Sequence, residues 1–405
     1  MVRESFAKRL MGSLAALAVG ISLIAGCAQP AQQGTAPAAT ETEATTEAEP
    51  AAEAEATTDA TEATGEVTDT RDILASWDPE CEAYKRLTSF VESVVDPTSD
   101  QYLPPEERIV TTDMDGTFIH EKPPVYLDRT FAIWHVFDDP TYDAPEDLKE
   151  RVIAGVDSYF KGTLTPEGEF DFNNIIADAY KGRTPEELMS DMLRYTEEVD
   201  VVGFSGMKYS ESFYKPMLEV IDYLRANDFD VWVVSATERF LARAFTGKYA
   251  GFAPDHVIAS DFFIHGEDQD TADGLDYTLQ QDEDLVISGR EISENGKTNK
   301  CISILNQIGR RPILAFGNSS GDYAMLNYTV TNPDHEGIGF LVLCDDTARE
   351  YGDLDRAAKQ EKEAEDNKWV TISMANDWST IYGEGVERTQ LASTHEEAVK
   401  LDAAA

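Results

Sequence analysis

Hydrophobic residues in this chain form short unbroken runs that are separated by stretches with helical periodicity. The runs are bounded by polar or turn-forming residues. They predict buried strands at 109–110, 229–235, 312–316 and 340–344, and an edge strand at 369–373. Apolar positions three and four residues apart predict helices over 78–95, 213–226, 298–308 and 347–366. Because strands alternate with helices, the pattern predicts an α/β fold built on a parallel sheet.

The first two predicted strands are separated by far more chain than a crossover of about a dozen residues requires. Helical patterns recur within this stretch, at 130–137, 145–160, 184–197 and 213–224. We therefore expect an inserted α-helical cap at 121–224. The core domain would then consist of residues 71–120 and 225–387, with a disordered tail at 388–405.

The N-terminus has the pattern of an export signal. Basic residues within the first ten positions are followed by the apolar stretch 11–24, and small residues stand directly before Cys27. This segment resembles the lipobox of bacterial lipoproteins, which implies a signal peptide at 1–26 and lipid on Cys27. An uncleaved membrane anchor is the alternative, and it would also place the remaining chain outside the cytoplasm.

Residues 27–70 differ in composition from the rest of the chain. They are rich in Ala, Thr and Glu, with no basic or aromatic residue between 28 and 70, and such a segment buries too little apolar surface to offset its ordering entropy. We expect a disordered acidic tether that holds the globular part off a membrane; a binding role for it is the alternative.

The whole chain is strongly acidic, with a formal net charge of −44. This charge excludes nucleic acid as a partner and means that a phosphorylated substrate needs local cations at its site. Beyond Cys27, the three remaining cysteines show no CxxC spacing, so we expect neither zinc nor a redox pair. We expect most of Cys81, Cys301 and Cys344 to be buried. Whether two of them form a disulfide is left open.

The segment that follows the first strand carries the clearest chemical signal. Asp113 and Asp115 are two residues apart, so along an extended chain their side chains point the same way. One carboxylate can attack phosphorus while binding magnesium, and the other can protonate the leaving oxygen. Gly116 allows a close turn around a phosphate, and Thr117 offers a hydroxyl. A solvated turn or a calcium-type loop is the alternative for this motif alone.

Two further strands end in polar residues that suit phosphate. Ser235 and Ala236 follow the second strand, and a loop from Asn318 to Asp322 follows the third. Lys300 lies in the first turn of the intervening helix. Ligands of open parallel sheets gather at the carboxyl ends of the strands, so these residues should converge.

In these four motifs the chain resembles the haloacid dehalogenase superfamily, in particular its phosphoserine-phosphatase-like branch. The resemblance implies a Rossmann-like core with a helical cap, an Asp113 nucleophile that forms an aspartyl-phosphate, and Asp115 as general acid and base. It also implies that Ser235 donates a hydrogen bond to the phosphate and that Lys300 clamps its charge. The second aspartate favours a phosphatase, because dehalogenases of the family lack it and ion-pumping ATPases have threonine there.

The metal site departs from the family pattern at one position. Many relatives begin the fourth motif with Asp, where this chain has Asn318. The resemblance implies Mg²⁺ on Asp113, the backbone carbonyl of Asp115 and Asp322, with Asn318 either binding the ion directly or steering a water. Lys297 competes with Lys300 as the phosphate clamp, although it more naturally belongs to the preceding turn.

The sequence thus predicts a Mg²⁺-dependent phosphatase for small phosphorylated substrates, displayed on the outer face of a bacterial membrane through lipid on Cys27. Glu121 and Lys122 are candidates for contacting the substrate. Two alternatives stay open: a catalytically weak binding or scaffold lipoprotein, and a phosphotransferase that uses alcohol acceptors. The sequence does not define the oligomeric state.

Overall fold

The computed structural model describes residues 69–121, 126–161, 163, 166–270 and 274–391. Several predicted features lie outside the described residues: the signal segment, Cys27, Lys122, almost all of the tether, and residues 392–405. Among the helices in the described ranges, none is both long and apolar enough to cross a bilayer.

The described chain contains nine strands and ten α-helices, with five short 3-10 helices between them. The strands are β1 Ile109–Thr112, β2 Phe204–Ser205, β3 Asp230–Glu238, β4 Val257–Gly266, β5 Leu285–Ser293, β6 Leu314–Gly317, β7 Ile338–Leu343, β8 Val370–Ser373 and β9 Glu387–Arg388. The helices are α1 Glu82–Val95, α2 Leu127–Phe137, α3 Glu146–Phe160, α4 Pro166–Ala179, α5 Pro185–Glu198, α6 Lys215–Ala226, α7 Arg239–Ala250, α8 Thr298–Gln307, α9 Tyr323–Val330 and α10 Leu354–Asn367.

The main sheet has seven strands in the order β5-β4-β3-β1-β6-β7-β8. All neighbours pair in parallel except β4 and β5, which form an antiparallel hairpin at one edge. Every residue of β1, β6 and β7 is buried, because helices cover both faces of a parallel sheet. The predicted α/β fold is confirmed, and the predicted segment 369–373 is the other edge strand.

Helices α2 to α5 occupy the chain between β1 and β3, within the range predicted for the cap. The turn after α4 is bonded to the edge hairpin: the backbone N–H of Gly182 donates to the carbonyl oxygen of Ile287, and the N–H of Ile287 donates to that of Arg183, both at 2.9 Å. The cap is therefore attached to the core sheet by main-chain hydrogen bonds as well as by covalent connections.

Some predicted boundaries were wrong for local reasons. Helix α10 begins at Leu354 and not at 347, because the Asp346 carboxylate accepts backbone N–H groups from Ala348 and Arg349 and closes a separate turn first. Helix α4 was not predicted; its sequence includes Gly168, which disfavours a helix. The β4–β5 hairpin was also missed.

The start of the predicted tail is ordered by strand pairing. Arg388 pairs with Phe204 in the two-stranded β2–β9 sheet, and the backbone N–H of Thr389 donates to the carbonyl oxygen of Gly203 at 2.7 Å. The predicted tail boundary at 388 is therefore wrong for these two residues, because the chain there adds a strand to the cap segment.

The cysteines differ from the expectation of burial. Cys81, Cys301 and Cys344 are all free thiols with partly exposed side chains. Two of them also form hydrogen bonds. The Cys81 Sγ atom accepts the N–H of Tyr84 at 3.3 Å and so caps α1, and the Cys344 Sγ atom lies 3.4 Å from the amide oxygen of Gln360.

Candidate active site

The three strand ends singled out in the sequence lie next to one another in the structure. Strand β1 is flanked by β3 and β6, and all three run in the same direction. Asp113 directly follows β1, and the backbone N–H of Asp113 donates to the carbonyl oxygen of Phe316 in β6 at 2.9 Å. This bond continues the parallel ladder by one residue and fixes the position of the Asp113 backbone at the carboxyl edge of the sheet.

Lys300 connects these strand ends through one buried ammonium group. The side chain is 2% exposed, and the Nζ atom donates to Asp113 Oδ1 at 2.5 Å, Asp322 Oδ1 at 2.7 Å and the carbonyl oxygen of Val234 at 2.7 Å. A buried ammonium requires such compensation, since desolvation without partners would cost several kcal/mol. Lys297 is exposed, and its backbone N–H donates to the carbonyl oxygen of Gly321. The structure thus brings Lys300, and not Lys297, to Asp113.

Asp115 lies beside Asp113 and contacts Thr237, which follows Ser235 and Ala236 at the end of β3. The Thr237 hydroxyl donates to Asp115 Oδ2 at 2.7 Å, and Asp115 Oδ1 is buried with no hydrogen-bond partner among the described residues. Burial, with the nearby charges of Asp113 and Asp128, raises the pKa of Asp115 well above its usual value. A raised pKa favours the protonated carboxyl group, which is the form that a general acid requires.

The pKa of the Asp113 carboxyl group is subject to opposing influences. Burial and the charge of Asp322 raise its pKa to about 7, while Lys300 opposes the shift. The Thr117 hydroxyl lies 3.4 Å from Asp113 Oδ2. The nucleophile candidate is thus oriented by a cation on one oxygen and by a hydroxyl on the other.

The turn that follows Asp115 and packs against the fourth motif requires glycine at position 116. Its φ angle is +78°, in the region that favours glycine, and a Cβ atom there would lie 2.0 Å from Nδ2 of Asn318. The first and fourth motifs therefore pack against each other through this position.

The fourth motif is folded around the Asp322 carboxylate. Asp322 Oδ2 accepts the backbone N–H groups of Asn318 and Ser319, each at 3.0 Å. On the other side, Arg356 Nη2 and Gln360 Nε2 from α10 donate to the carbonyl oxygen of Asn318, the first at 3.2 Å. These long-range contacts hold the loop in place, and no local pattern in the sequence indicates them.

The oxygen atoms gathered here fit a hard divalent cation. Carboxylate and amide oxygens of Asp113, Asn318 and Asp322 meet at one sheet edge, and Mg²⁺ prefers such ligands. The Asn318 side-chain oxygen is buried and has no partner among the described residues, as expected for a metal ligand. Both carboxylate oxygens of Asp322 already accept hydrogen bonds, so its main function in this structure is to shape the loop.

A second group of potential metal ligands lies within the cap. Ligand atoms of His135, Asp139 and Asp191 all lie within 4.8 Å of one another. Arg194 pairs with both carboxylates, at 2.9 and 3.0 Å, and Arg183 pairs with Asp191 at 2.7 Å. The arginines already compensate the two negative charges, so this cluster is an ion-pair network that ties α2 to α5.

The predicted phosphate donors after β3 differ in accessibility. Ser235 is fully buried and its Oγ atom accepts the backbone N–H of Thr237 at 3.0 Å, whereas Ala236 and Thr237 line the cleft above the sheet. The role of Ser235 as a phosphate donor stays a prediction. Thr237, which belongs to the same polar strand end in the sequence, lies two residues beyond Ser235 and so on the same face of the strand.

These groups line a cleft of about 870 Å³ that extends to the cap. Besides the motif residues, it is lined by cap and flanking side chains: Tyr126, Asp128, Arg129, Asn173, Ile176, Glu238 and Phe262. Glu121 also lines it, as predicted, but both of its carboxylate oxygens are bound by Arg356, at 2.6 and 3.0 Å. The volume suits a small organic ligand.

The comparison with known families matches residues 110–327 to haloacid dehalogenase-like hydrolases. This range begins within β1 and ends within α9, so it includes all four motifs and the cap. The chain belongs to the haloacid dehalogenase-like hydrolase family. The family assignment agrees with the expected enzyme class and with the sheet observed here.

Solved structures with a similar arrangement are distant in sequence. A functionally unknown protein from Anaerococcus prevotii DSM 20548 is 14% identical with a TM-score of 0.44, covering 74% of this chain and 92% of its own. Cytosolic 5'-nucleotidase IIIB bound to cytidine is 13% identical with a TM-score of 0.41, covering 76% and 93%. A phospho-aspartyl intermediate analogue of phosphoserine phosphatase is 14% identical with a TM-score of 0.33, covering 66% and 93%.

A search of curated protein sequences gave no match. At these low identities and TM-scores, the family assignment rests on the sequence match over residues 110–327.

Proposed function

We propose that this protein hydrolyses small organic phosphate monoesters through an aspartyl-phosphate on Asp113, with Mg²⁺ as cofactor. The observation that carries the proposal is the pair Asp113 and Asp115 at one cleft. Lys300 orients the first, and the second has a raised pKa and accepts a hydrogen bond from Thr237. One carboxyl group is prepared to attack, and the other is prepared to donate a proton.

The reaction divides into two displacements at phosphorus. An Asp113 carboxylate oxygen bonds to phosphorus as the ester P–O bond breaks, and the Asp115 proton passes to the leaving alcohol oxygen. Water then attacks phosphorus, Asp115 takes its proton, and the Asp113–phosphorus bond breaks to release inorganic phosphate. Lys300 offsets negative charge on the phosphoryl oxygens in both steps. Bound Mg²⁺ supplies additional charge compensation at the same edge of the sheet.

The second aspartate supports hydrolysis of phosphate esters over other reactions of the family. Dehalogenation needs no acid at this position, and a stable aspartyl-phosphate, as in ion pumps, needs no group that activates water. Asp115 has a raised pKa and lies at the cleft that the substrate would occupy. Both properties suit a group that protonates an alcohol and then deprotonates water.

Hydrolysis of para-nitrophenyl phosphate by the purified full-length protein tests the proposal. We expect turnover with Mg²⁺, loss of turnover on addition of EDTA, and recovery when excess Mg²⁺ is restored. A folded protein that releases no phosphate at any Mg²⁺ concentration would refute the phosphatase assignment. Turnover that EDTA leaves unchanged would refute the cofactor.

We also infer that the mature chain is anchored by lipid on Cys27 to the outer face of a bacterial membrane. The basic start, the short apolar stretch and the small residues before Cys27 support this inference. The acidic segment after Cys27 would then act as the tether between the membrane and the hydrolase domain.

A further inference from the structure

Helix α10 lies beyond the range that matches the family, but two of its side chains reach the fourth motif. Arg356 and Gln360 are four residues apart and therefore lie on the same face of the helix. Both donate to the carbonyl oxygen of Asn318, with Arg356 Nη2 at 3.2 Å. The family match ends at residue 327, so it does not include these contacts.

The main chain of Asn318 is held on both sides of its Cα atom. On one side, the backbone N–H donates to Asp322 Oδ2 at 3.0 Å. On the other side, the carbonyl oxygen accepts the two donors from α10. Because both peptide groups are fixed, the direction of the Cα–Cβ bond is fixed too, and with it the space that this buried side chain can occupy.

The donor from Gln360 has a fixed orientation of its own. The residue is buried, at 2% exposure, and the Cys344 Sγ atom lies 3.4 Å from its amide oxygen. Since the thiol can donate to that oxygen, the Nε2 end of the amide is left to face the carbonyl oxygen of Asn318. Gln360 therefore acts as a donor toward the loop.

An asparagine at position 318 makes this positioning matter more than an aspartate would. A carboxylate offers a ligand oxygen on either side, whereas an amide has one oxygen, and its NH₂ group cannot bind a cation. Oδ1 of Asn318 is buried with no hydrogen-bond partner within the described ranges, and Nδ2 lies toward Gly116, where a Cβ atom would be 2.0 Å away. This rotation of the amide leaves the oxygen for a metal ion.

The charge of Arg356 is compensated where the side chain meets the loop. Its two terminal nitrogens bind both carboxylate oxygens of Glu121, at 2.6 and 3.0 Å, and the two side chains are 28% and 14% exposed. An unpaired guanidinium beside Asn318 would repel a divalent cation, and Glu121 removes that repulsion. The ion pair thus adds a rigid contact to the loop without adding net charge.

We propose that Arg356, paired with Glu121, is a positioning residue for the Mg²⁺ site and sets its affinity by holding Asn318 with the amide oxygen available to the ion. This inference rests on the proposed Mg²⁺-dependent phosphatase function. Arg356 acts through the carbonyl group of Asn318, and Gln360 supports the same group. Glu121 serves as the countercharge of Arg356, which occupies both of its carboxylate oxygens.

Thermal unfolding of the full-length protein at increasing Mg²⁺ concentration measures the metal affinity without a substrate, because an ion that binds only the folded state raises Tm as its site fills. Arg356→Gln should weaken Mg²⁺ binding by about tenfold to a hundredfold, as is usual when a residue that orients a metal ligand is lost. In the para-nitrophenyl phosphate assay, the half-saturating Mg²⁺ concentration should rise by the same factor, and the loss of rate should shrink as Mg²⁺ is raised.

Arg311→Gln is the matched control. Arg311 also donates from its guanidinium to backbone carbonyl oxygens, those of Tyr328 and Thr331, at 3.3 and 2.9 Å. These contacts do not involve the fourth motif, so this variant should keep the wild-type Mg²⁺ affinity. If Arg356→Gln does not fold, Arg356→Lys keeps the charge opposite Glu121 but loses the second nitrogen, and it should weaken Mg²⁺ binding in the same direction.

A second background tests whether Arg356 acts through the amide. Asn318→Asp supplies a ligand oxygen in either rotation, so Arg356→Gln should weaken Mg²⁺ binding by a smaller factor in the Asn318→Asp protein than in the wild-type protein. Equal factors in the two backgrounds would show that Arg356 does not act by orienting the Asn318 amide, and would overturn the inference.

The remaining outcomes separate the inference from the proposed function. Wild-type Mg²⁺ affinity in a folded Arg356 variant overturns the positioning role and keeps the phosphatase, as does an equal loss of affinity in Arg311→Gln. A wild-type Tm that Mg²⁺ leaves unchanged at every concentration also overturns it. Failure of the wild-type protein to hydrolyse para-nitrophenyl phosphate at any Mg²⁺ concentration overturns the proposed function itself, whatever the unfolding measurements show.

Discussion

The Nζ atom of Lys300 lies 2.5 Å from Oδ1 of Asp113, although the two residues are 187 positions apart in the chain. This contact joins the start of α8 to the end of β1. Because Nζ also binds Asp322 and the carbonyl oxygen of Val234, a single side chain connects the first, second and fourth motifs. Lys300 therefore determines both where the nucleophile candidate points and how its charge is balanced.

Lys300→Ala should lower kcat/KM for para-nitrophenyl phosphate by roughly a hundredfold or more, since one preorganised charge contact to the phosphoryl group is lost. Lys297→Ala, three residues earlier and at an exposed position, should cost much less. Steady-state assays at saturating Mg²⁺, with thermal unfolding of both variants as a control, give the comparison. If Lys297→Ala is the more damaging change in folded protein, the assignment of the phosphate clamp is wrong by three residues.

Asp113→Asn should abolish turnover, because an amide cannot act as the nucleophile and is a weaker ligand for a divalent cation. Asp334→Asn, the same change at an exposed aspartate, should retain wild-type rates. Beryllium fluoride should be trapped on Asp113 in the wild-type protein and not in Asp113→Asn. Wild-type rates in Asp113→Asn would end the covalent mechanism.

Asp115→Asn should slow turnover by a factor of about 10² to 10⁴, the usual contribution of a general acid and base. The loss should be larger with an alkyl phosphate than with para-nitrophenyl phosphate, because para-nitrophenolate leaves without a proton. Measuring kcat/KM with both substrates tests the role directly. Equal losses with the two substrates would argue against proton donation to the leaving group.

The local pattern of apolar and polar residues predicted the parts of the site that lie at strand ends. The apolar runs of β1, β3 and β6 identified the sheet, and parallel topology then placed Asp113, Ser235 and Asn318 at one edge. The contacts that complete the site were not predictable in this way. Arg356 and Glu121 are 235 positions apart, and no periodicity in either segment encodes their pairing.

The same limit applies to the cap side of the cleft. Glu238 ends β3 and caps α7, a helix that was not predicted from the sequence. Helix α4 and the β4–β5 hairpin were missed because their formation depends on packing against each other more than on intrinsic propensity. Sequence pattern thus predicted the strand ends of the cleft better than the elements that surround them.

Cys27→Ala should leave an unprocessed precursor or release the protein into soluble fractions, because lipid on this thiol would be the anchor. Fractionation of cells that produce the wild-type and variant proteins gives the distribution. Intact-mass measurement of membrane-extracted wild-type protein should show a chain that begins at Cys27 with added acyl mass. A mature chain without that mass would refute lipid anchoring.

His120 should make the fold sensitive to acid. The side chain is fully buried beside Tyr209, with ring centres 5.4 Å apart, and burial lowers its pKa from the usual 6.5 to about 3. Between these two values the unfolded chain binds a proton that the folded protein excludes. The stabilising contribution is therefore complete above pH 6.5 and is lost as the pH falls toward 3.

The size of the effect can be measured by urea unfolding at several pH values between 7 and 4. One excluded proton lowers the free energy of unfolding by about 1.4 kcal/mol for each pH unit below 6.5. His120→Leu removes the titrating group from both the folded and the unfolded state. The free energy of unfolding of this variant should therefore fall less steeply with pH than that of the wild-type protein, by about 1.4 kcal/mol for each pH unit. The comparison uses slopes, which are independent of any packing change that leucine introduces at pH 7. Parallel slopes for the wild-type and variant proteins would show that His120 takes up its proton in the folded state and that the buried ring is accommodated as a cation.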